Sequence, residues 1–270
     1  MTLAEDDWHR RKQTVELPGS GRMAFVDTGG SGPALLMLHG FSDTSRSFAM
    51  LEPLLSGYRL IIPDMPGHGG SELGKGTRIS DFATSIVSLL NQLDVTPVAI
   101  VGHSMGAMTA IVIASRGDLR ALILLSASLK PDFGSESSIS GAIRSLHDPI
   151  DPSGTFLREW YACTVPVDPD FLMKMKIDAA AMPATVWHGI LEGFACTDLT
   201  PNAVQIISPV LCIGGSSDPL FGLSHRQDLS GAFKSVRSVT LEGHGHNPHW
   251  EDPQLVAKHL LSFLSEIRGS

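Results

Sequence analysis

The chain predicts an α/β fold: a mostly parallel central sheet flanked by helices and interrupted once by a helical insertion. Three features carry that expectation. Short apolar runs alternate with longer helical patterns, the rhythm of parallel strands joined by crossovers. Most of those runs are apolar without a break, as strands covered on both faces should be. Between residues 125 and 210 the alternation stops, and a proline-punctuated helical stretch takes its place.

Candidate strands are 23–26, 34–38, 60–62, 98–101, 121–125, 210–213 and 239–241. Residues 14–17 can add an antiparallel edge strand, paired to 23–26 through the turn Pro18-Gly19-Ser20-Gly21. Ser80 is a candidate N-cap for a surface helix whose apolar face is Phe82, Ile86, Leu89, Leu90 and Leu93. Residues 104–115 leave almost no polar face, which places that helix at the centre of the molecule. Pro253 opens the last helix, with Leu255, Val256, Leu260, Leu261, Phe263 and Leu264 as its packing stripe.

The expected division is therefore a core of residues 1–128 and 207–270 around an inserted helical unit of 129–206. The insertion holds Trp160 and Trp187, two of the four tryptophans. Within it Pro183 leads a stripe of Val186, Trp187, Ile190, Leu191 and Phe194, which reads more as packing than as ligand contact.

Composition narrows the function. With 20 basic and 28 acidic residues the net charge is −8, which opposes phosphate backbones and predicts no nucleic-acid partner. Three scattered cysteines without a CxxC pair argue against zinc or redox chemistry, and Cys212, inside an apolar run, reads as a core residue. No apolar run is long enough for a bilayer. The first twelve residues carry Asp6, Asp7, Arg10, Arg11 and Lys12, which does not suit a secretion signal. A cytoplasmic protein that engages no membrane is the expectation.

The segment that points to chemistry is Val98-Ala99-Ile100-Val101-Gly102-His103-Ser104-Met105-Gly106-Ala107. An apolar strand runs into Gly-x-Ser-x-Gly and straight into an apolar helix, the setting of a nucleophile elbow. The sharp turn exposes the Ser104 hydroxyl, and the helix N-terminus favours a developing anion. A serine hydroxyl needs a base to take its proton. The loop between the last strand and the last helix offers His244, His246 and His249. A carboxylate must then fix the imidazole, and Asp218 stands just past the preceding strand in Gly214-Gly215-Ser216-Ser217-Asp218-Pro219. N–H donors for an oxyanion are expected from Met105, which follows the nucleophile, and from Phe41 in the loop His39-Gly40-Phe41-Ser42, with Ser42 as the weaker choice.

Together these segments resemble the α/β-hydrolase superfamily over nearly the whole chain. His39-Gly40-Phe41 looks like its oxyanion loop, and Asp64-Met65-Pro66-Gly67-His68-Gly69-Gly70-Ser71 like the turn after its next strand. The family's histidine loop commonly reads Gly-His with Glu and then Pro downstream. Gly245-His246 with Glu251 and Pro253 fits that spacing and Gly243-His244 does not, which selects His246. The insertion would correspond to the family's cap. Ser104 stands where epoxide hydrolases and dehalogenases carry aspartate, and only Tyr58 and Tyr161 are present, too few for an epoxide hydrolase's cap pair. Ser42-Asp43-Thr44-Ser45 replaces the Gly-Pro-Gly common in ring-cleavage carbon–carbon hydrolases, and Met105 differs from the small polar residue of cofactor-free haloperoxidases.

The resemblance implies hydrolysis of a carboxylic ester or lactone of a small apolar substrate through an acyl-enzyme, with Ser104, His246 and Asp218 as triad and no metal or organic cofactor. Phe41, Met105, Trp160, Trp187 and Phe221 are the expected pocket. Carbon–carbon hydrolysis or acyl transfer on the same triad stays open, as do a capped, hydrolase-like signalling receptor and a homodimer.

Overall fold

The structure, a computed structural model, describes residues 6–268 apart from 118, 132, 135 and 136. Eight strands form one sheet: β1 Gln13–Leu17, β2 Gly21–Asp27, β3 Ala34–Leu38, β4 Arg59–Pro63, β5 Ala99–His103, β6 Ala121–Leu125, β7 Val210–Gly215 and β8 Val236–Leu241. Their spatial order is β1-β2-β4-β3-β5-β6-β7-β8. β2 runs antiparallel to both β1 and β4, and every later pairing is parallel. The β1–β2 hairpin closes through the expected turn, where Gly19 and Gly21 take φ of 69° and 74°. β8 begins at Val236, three residues before the expected start. Arg237 and Ser238 on this edge strand are exposed, so no continuous apolar run announces it.

Side chains alternate between the faces of the sheet and divide the core in two. Leu36, Leu38, Ile100, Leu122 and Leu124 pack on one side. They meet α2 (Ile79–Leu93) and the central α3 (Met105–Ala114), all but one of whose residues are buried. Leu35, Met37, Val101, Ile123 and Ile213 point to the other face, against α11 (Pro253–Arg268). Two expectations need correction. α2 starts at Ile79, with Arg78 as N-cap and its N–H donated to Asp81 Oδ2 at 3.2 Å, so Ser80 lies inside the helix. Leu261 is 37% exposed and sits outside the α11 stripe.

The short α1 (Asp7–Arg10) lies before β1, and α9 (Leu223–Ala232) connects β7 to β8. α10 (Pro248–Glu251) immediately precedes α11. Between β6 and β7 stand α4 (Ser138–Arg144), α5 (Thr155–Trp160), α6 (Pro169–Ala180), α7 (Ala184–Ala195) and α8 (Thr200–Ala203). Specific polar bonds seat them. Thr77 donates to the Gly189 carbonyl at 2.8 Å, and Arg46 Nε and the Thr44 hydroxyl both donate to Asp178 Oδ2 at 2.9 Å. Arg46 and Asp178 are almost fully buried, and such charges persist only when paired and hydrogen-bonded, as here. Among the described residues no helix is long and apolar enough to cross a membrane.

Candidate active site

The turn from β5 into α3 is set by two glycines and one strained serine. Ser104 has φ 50° and ψ −115°, a conformation that L-residues adopt only when their surroundings impose it. Its N–H donates to the Leu125 carbonyl at 2.9 Å, which pins the elbow to β6. A Cβ on Gly102 would come within 2.5 Å of the Ala107 Cα, and one on Gly106 within 2.6 Å of the His39 carbonyl and closer still to that of Leu38. Both are backbone obstacles that cannot swing aside. Gly106→Ala should therefore destabilise the protein by about 3 kcal/mol or more, measured by chemical denaturation, because the elbow and the end of β3 cannot both keep their places. A loss below about 1 kcal/mol would mean the loop yields easily.

Ser104 is 7% exposed, and its Oγ lies 3.0 Å from His246 Nε2. On the far side of the ring, Nδ1 is 2.9 Å from Asp218 Oδ2. A carboxylate can only accept, so Nδ1 carries the proton and the bare Nε2 accepts from the serine hydroxyl. Asp218 Oδ1 takes the N–H groups of Leu220 and Phe221 at 2.8 and 3.0 Å. Burial alone would raise the Asp218 pKa. The His246 imidazole and the two backbone donors outweigh it and hold the carboxyl well below the usual range. The three residues chosen from sequence are thus brought into one hydrogen-bonded line.

The other loop histidines are occupied elsewhere. His244 Nδ1 bonds the Glu242 carbonyl at 2.9 Å. His249 is fully buried and bonds the Ser47 hydroxyl at 3.0 Å. Glu251 explains the Gly-His…Glu spacing. Its Oε2 accepts the Gly245 N–H at 2.6 Å and its Oε1 accepts the Thr164 N–H at 3.0 Å, so one carboxylate clamps the histidine loop to the inserted segment. A further brace was not legible in sequence: His103 Nε2 donates to the His246 carbonyl at 3.0 Å.

The candidate N–H donors differ in what they already bond. The Ser42 N–H is committed to His68 Nε2 at 3.3 Å. Among the described residues the Phe41 and Met105 N–H groups have no such acceptor. Gly40 is needed because a Cβ there would meet His103 Nδ1 at 2.7 Å. His39 braces the loop, its Nδ1 donating to the Gly40 carbonyl and its Nε2 accepting from the Met65 N–H, both at 2.8 Å.

Four of these histidines are buried and kept neutral. Burial pushes His39, His103 and His249 down, and His68, desolvated beside His39, falls to about 3. Their pKa values lie below the unfolded value near 6.5. The unfolded chain therefore binds protons that the folded chain refuses as pH falls through that range. Stability should drop by on the order of 3 kcal/mol or more between pH 7 and pH 5, read from urea midpoints. Equal stability at the two pH values would show that these imidazoles accept protons in place.

Above Ser104 opens a cavity of about 330 Å³ whose wall includes the rings of Phe41, Phe133, Phe156, Trp160, Phe194 and Trp250. Its polar spots include Asp43 and the Tyr161 hydroxyl, which donates to Asp43 Oδ1 at 3.2 Å. Trp160 stands in the wall as expected. Trp187 does not: it is wholly buried one layer back, its ring 4.8 Å from Phe41 and 5.5 Å from Trp160. Phe221 is not in the wall either, but packs edge-on against the His246 ring at 5.3 Å. The Met105 side chain is buried in the core and does not line the cavity. Cys212 is a core residue, its thiol pushed up to about 12 by burial.

Strand order, elbow and Ser–His–Asp line define a class of protein, and the comparisons agree. A family model described as "Alpha/beta hydrolase family" matches residues 35–259, and the chain belongs to that family. The chain is 36% identical over 248 residues to an uncharacterised protein of Mycobacterium bovis, covering 83% of this chain and 73% of the relative. It is 42% identical over 93 residues to the magnesium-chelatase 30 kDa subunit of Rhodobacter capsulatus, a stretch spanning only 33% of each. Among solved structures, an esterase from Exiguobacterium antarcticum superposes with TM-score 0.83 at 18% identity, covering 94% of this chain and 99% of that one. An enol-lactonase from Burkholderia xenovorans does so with TM-score 0.78 at 19% identity, covering 94% and 100%. At such identities the likeness is one of fold.

Proposed function

We propose that the protein hydrolyses a carboxylic ester or lactone of a small, largely apolar molecule through an acyl-enzyme at Ser104. The observation that carries this reading is the Ser104–His246–Asp218 line at the floor of an aromatic cavity. Ser104 Oγ attacks the carbonyl carbon and its proton passes to His246 Nε2, while Asp218 steadies the imidazolium. The carbonyl oxygen, now an anion, rests on the N–H groups of Phe41 and Met105. Collapse expels the alcohol oxygen, which takes the proton back from His246. Water then repeats the attack on the acyl-enzyme, gives its proton to His246, and releases the acid and a free Ser104.

The inserted helices of 129–206 act in this reading as a cap on a core of 1–128 and 207–270. Phe133, Phe156, Trp160 and Phe194 from that stretch supply much of the cavity wall, which favours an apolar acyl or alcohol group. Neighbours of the same fold that are an esterase and a lactonase support the bond type. The three free cysteines suit a reducing compartment, and we place the protein in the cytoplasm.

A panel of p-nitrophenyl esters of increasing acyl length, run beside simple lactones, tests the proposal. Turnover should be clear for short acyl groups and fall once the chain outgrows the cavity. Cleavage of a vinylogous diketone in place of esters, or acyl transfer to an added alcohol in place of water, would replace hydrolysis of esters as the reaction. Negligible turnover with strong ligand-induced heat stabilisation would point to a receptor.

A further inference from the structure

Beyond Phe221 lies a second cavity of about 270 Å³, between α9 and the edge formed by β6, β7 and β8. Two buried polar atoms of its lining residues, Arg226 Nε and Ser126 Oγ, have no hydrogen-bond partner in the protein. Ser126 is 3% exposed and held at φ 45°, just past the end of β6. Arg226 is anchored through Nη1, which donates to the Gly215 carbonyl at 2.8 Å. Gly214 leaves room for its stem, since a Cβ there would meet Arg226 Cδ at 3.0 Å. No aspartate or glutamate lines the cavity, and among the described residues no carboxylate pairs with this guanidinium.

The Arg226 side chain is half-buried and already bonded through Nη1, but its buried Nε–H and the buried Ser126 hydroxyl have no partner, and one anion accepting from both relieves the two costs together. The remaining walls are largely apolar, Leu124, Leu229 and Val239 among them, while the strongly exposed Leu223 marks the way in. No lysine and no second arginine lines the space, so a doubly charged phosphate would be left undercompensated. The volume lies near the low end for ligand pockets, about 300 Å³, which suits a small molecule. We propose that this cavity is a second ligand site that binds a short-chain aliphatic carboxylate, its head on Arg226 Nε and Ser126 Oγ and its tail against Leu124, Leu229 and Val239. The site stands independently of the reaction at Ser104.

Sodium hexanoate is the probe, titrated calorimetrically into the full chain after Ser104 has been treated with diisopropyl fluorophosphate. Hexanoate should bind, and Arg226→Gln should weaken it at least tenfold. Arg226→Lys should restore part of that loss, and Ser126→Ala should cost several-fold. The neutral isostere 1-hexanol should bind far more weakly. Crystals soaked in hexanoate should show it beside Arg226. If Arg226→Gln does not fold, judged by circular dichroism, the Ser126→Ala titration decides. Unchanged affinity in these variants, or density for hexanoate only above Ser104, would overturn the proposal. Failure of Ser104 to react with the fluorophosphate would count against the hydrolase reading alone, because the Arg226 dependence is read separately.

Discussion

Replacing Ser104 with alanine should lower kcat/KM for p-nitrophenyl acetate by about 10⁴ to 10⁶ while leaving the fold intact. In the proposed reaction the serine supplies the bond-forming oxygen, and no other group takes its place beside His246, whose Nε2 meets Ser104 Oγ at 3.0 Å and whose Nδ1 is committed to Asp218. Residual rate would come from the oxyanion donors and binding alone, so the loss should match that of removing the whole triad. Stability should hold or rise, because alanine removes a partly buried hydroxyl without adding bulk at the strained φ of 50°. Steady-state kinetics with a thermal melt on the same preparation checks both. Retained turnover in a cleanly purified variant would remove Ser104 from the chemistry.

Asp218→Asn is the second large effect, and it separates orientation from packing. The side-chain oxygen of asparagine can keep the bonds from Leu220 and Phe221 N–H, now 2.8 and 3.0 Å, so the loop should stay folded. The amide nitrogen, however, presents a donor to His246 Nδ1. That forces the proton onto Nε2, where it faces Ser104 and can no longer accept the serine's proton. A fall in kcat of about 10⁴ is expected near neutral pH, with little change in KM. The activity that remains should rise with pH once hydroxide substitutes for the missing base. A loss below tenfold would mean that the 2.9 Å contact between Asp218 and His246 does no orienting.

Much of this site was legible because its parts are local or ordered along the chain. The elbow is one continuous segment in which strand, Gly-x-Ser-x-Gly and apolar helix announce one another. Asp218 and His246 each follow a late strand, and parallel strands deliver their following loops to the same edge of the sheet. The choice of His246 over its neighbours rested on the distance to Glu251, and the structure gives that spacing a reason: the carboxylate reaches back to the Gly245 N–H. The pocket was far less legible. Trp187 and Phe194 lie on one stripe of α7, yet Phe194 reaches the cavity and Trp187 does not. Periodicity reports that a face is buried, never what it is buried against.

By itself, then, the order of residues determined the sheet, the strained serine and the relay behind it. Those follow from short-range backbone geometry and from unbroken apolar runs that mark strands covered on both faces. Only the folded chain decided which rings wall the cavity, that Ser42 gives up its N–H to His68, and that Arg226 and Ser126 share a second chamber. Each of these joins segments tens of residues apart, and packing between distant side chains leaves no mark on the local pattern of any one of them.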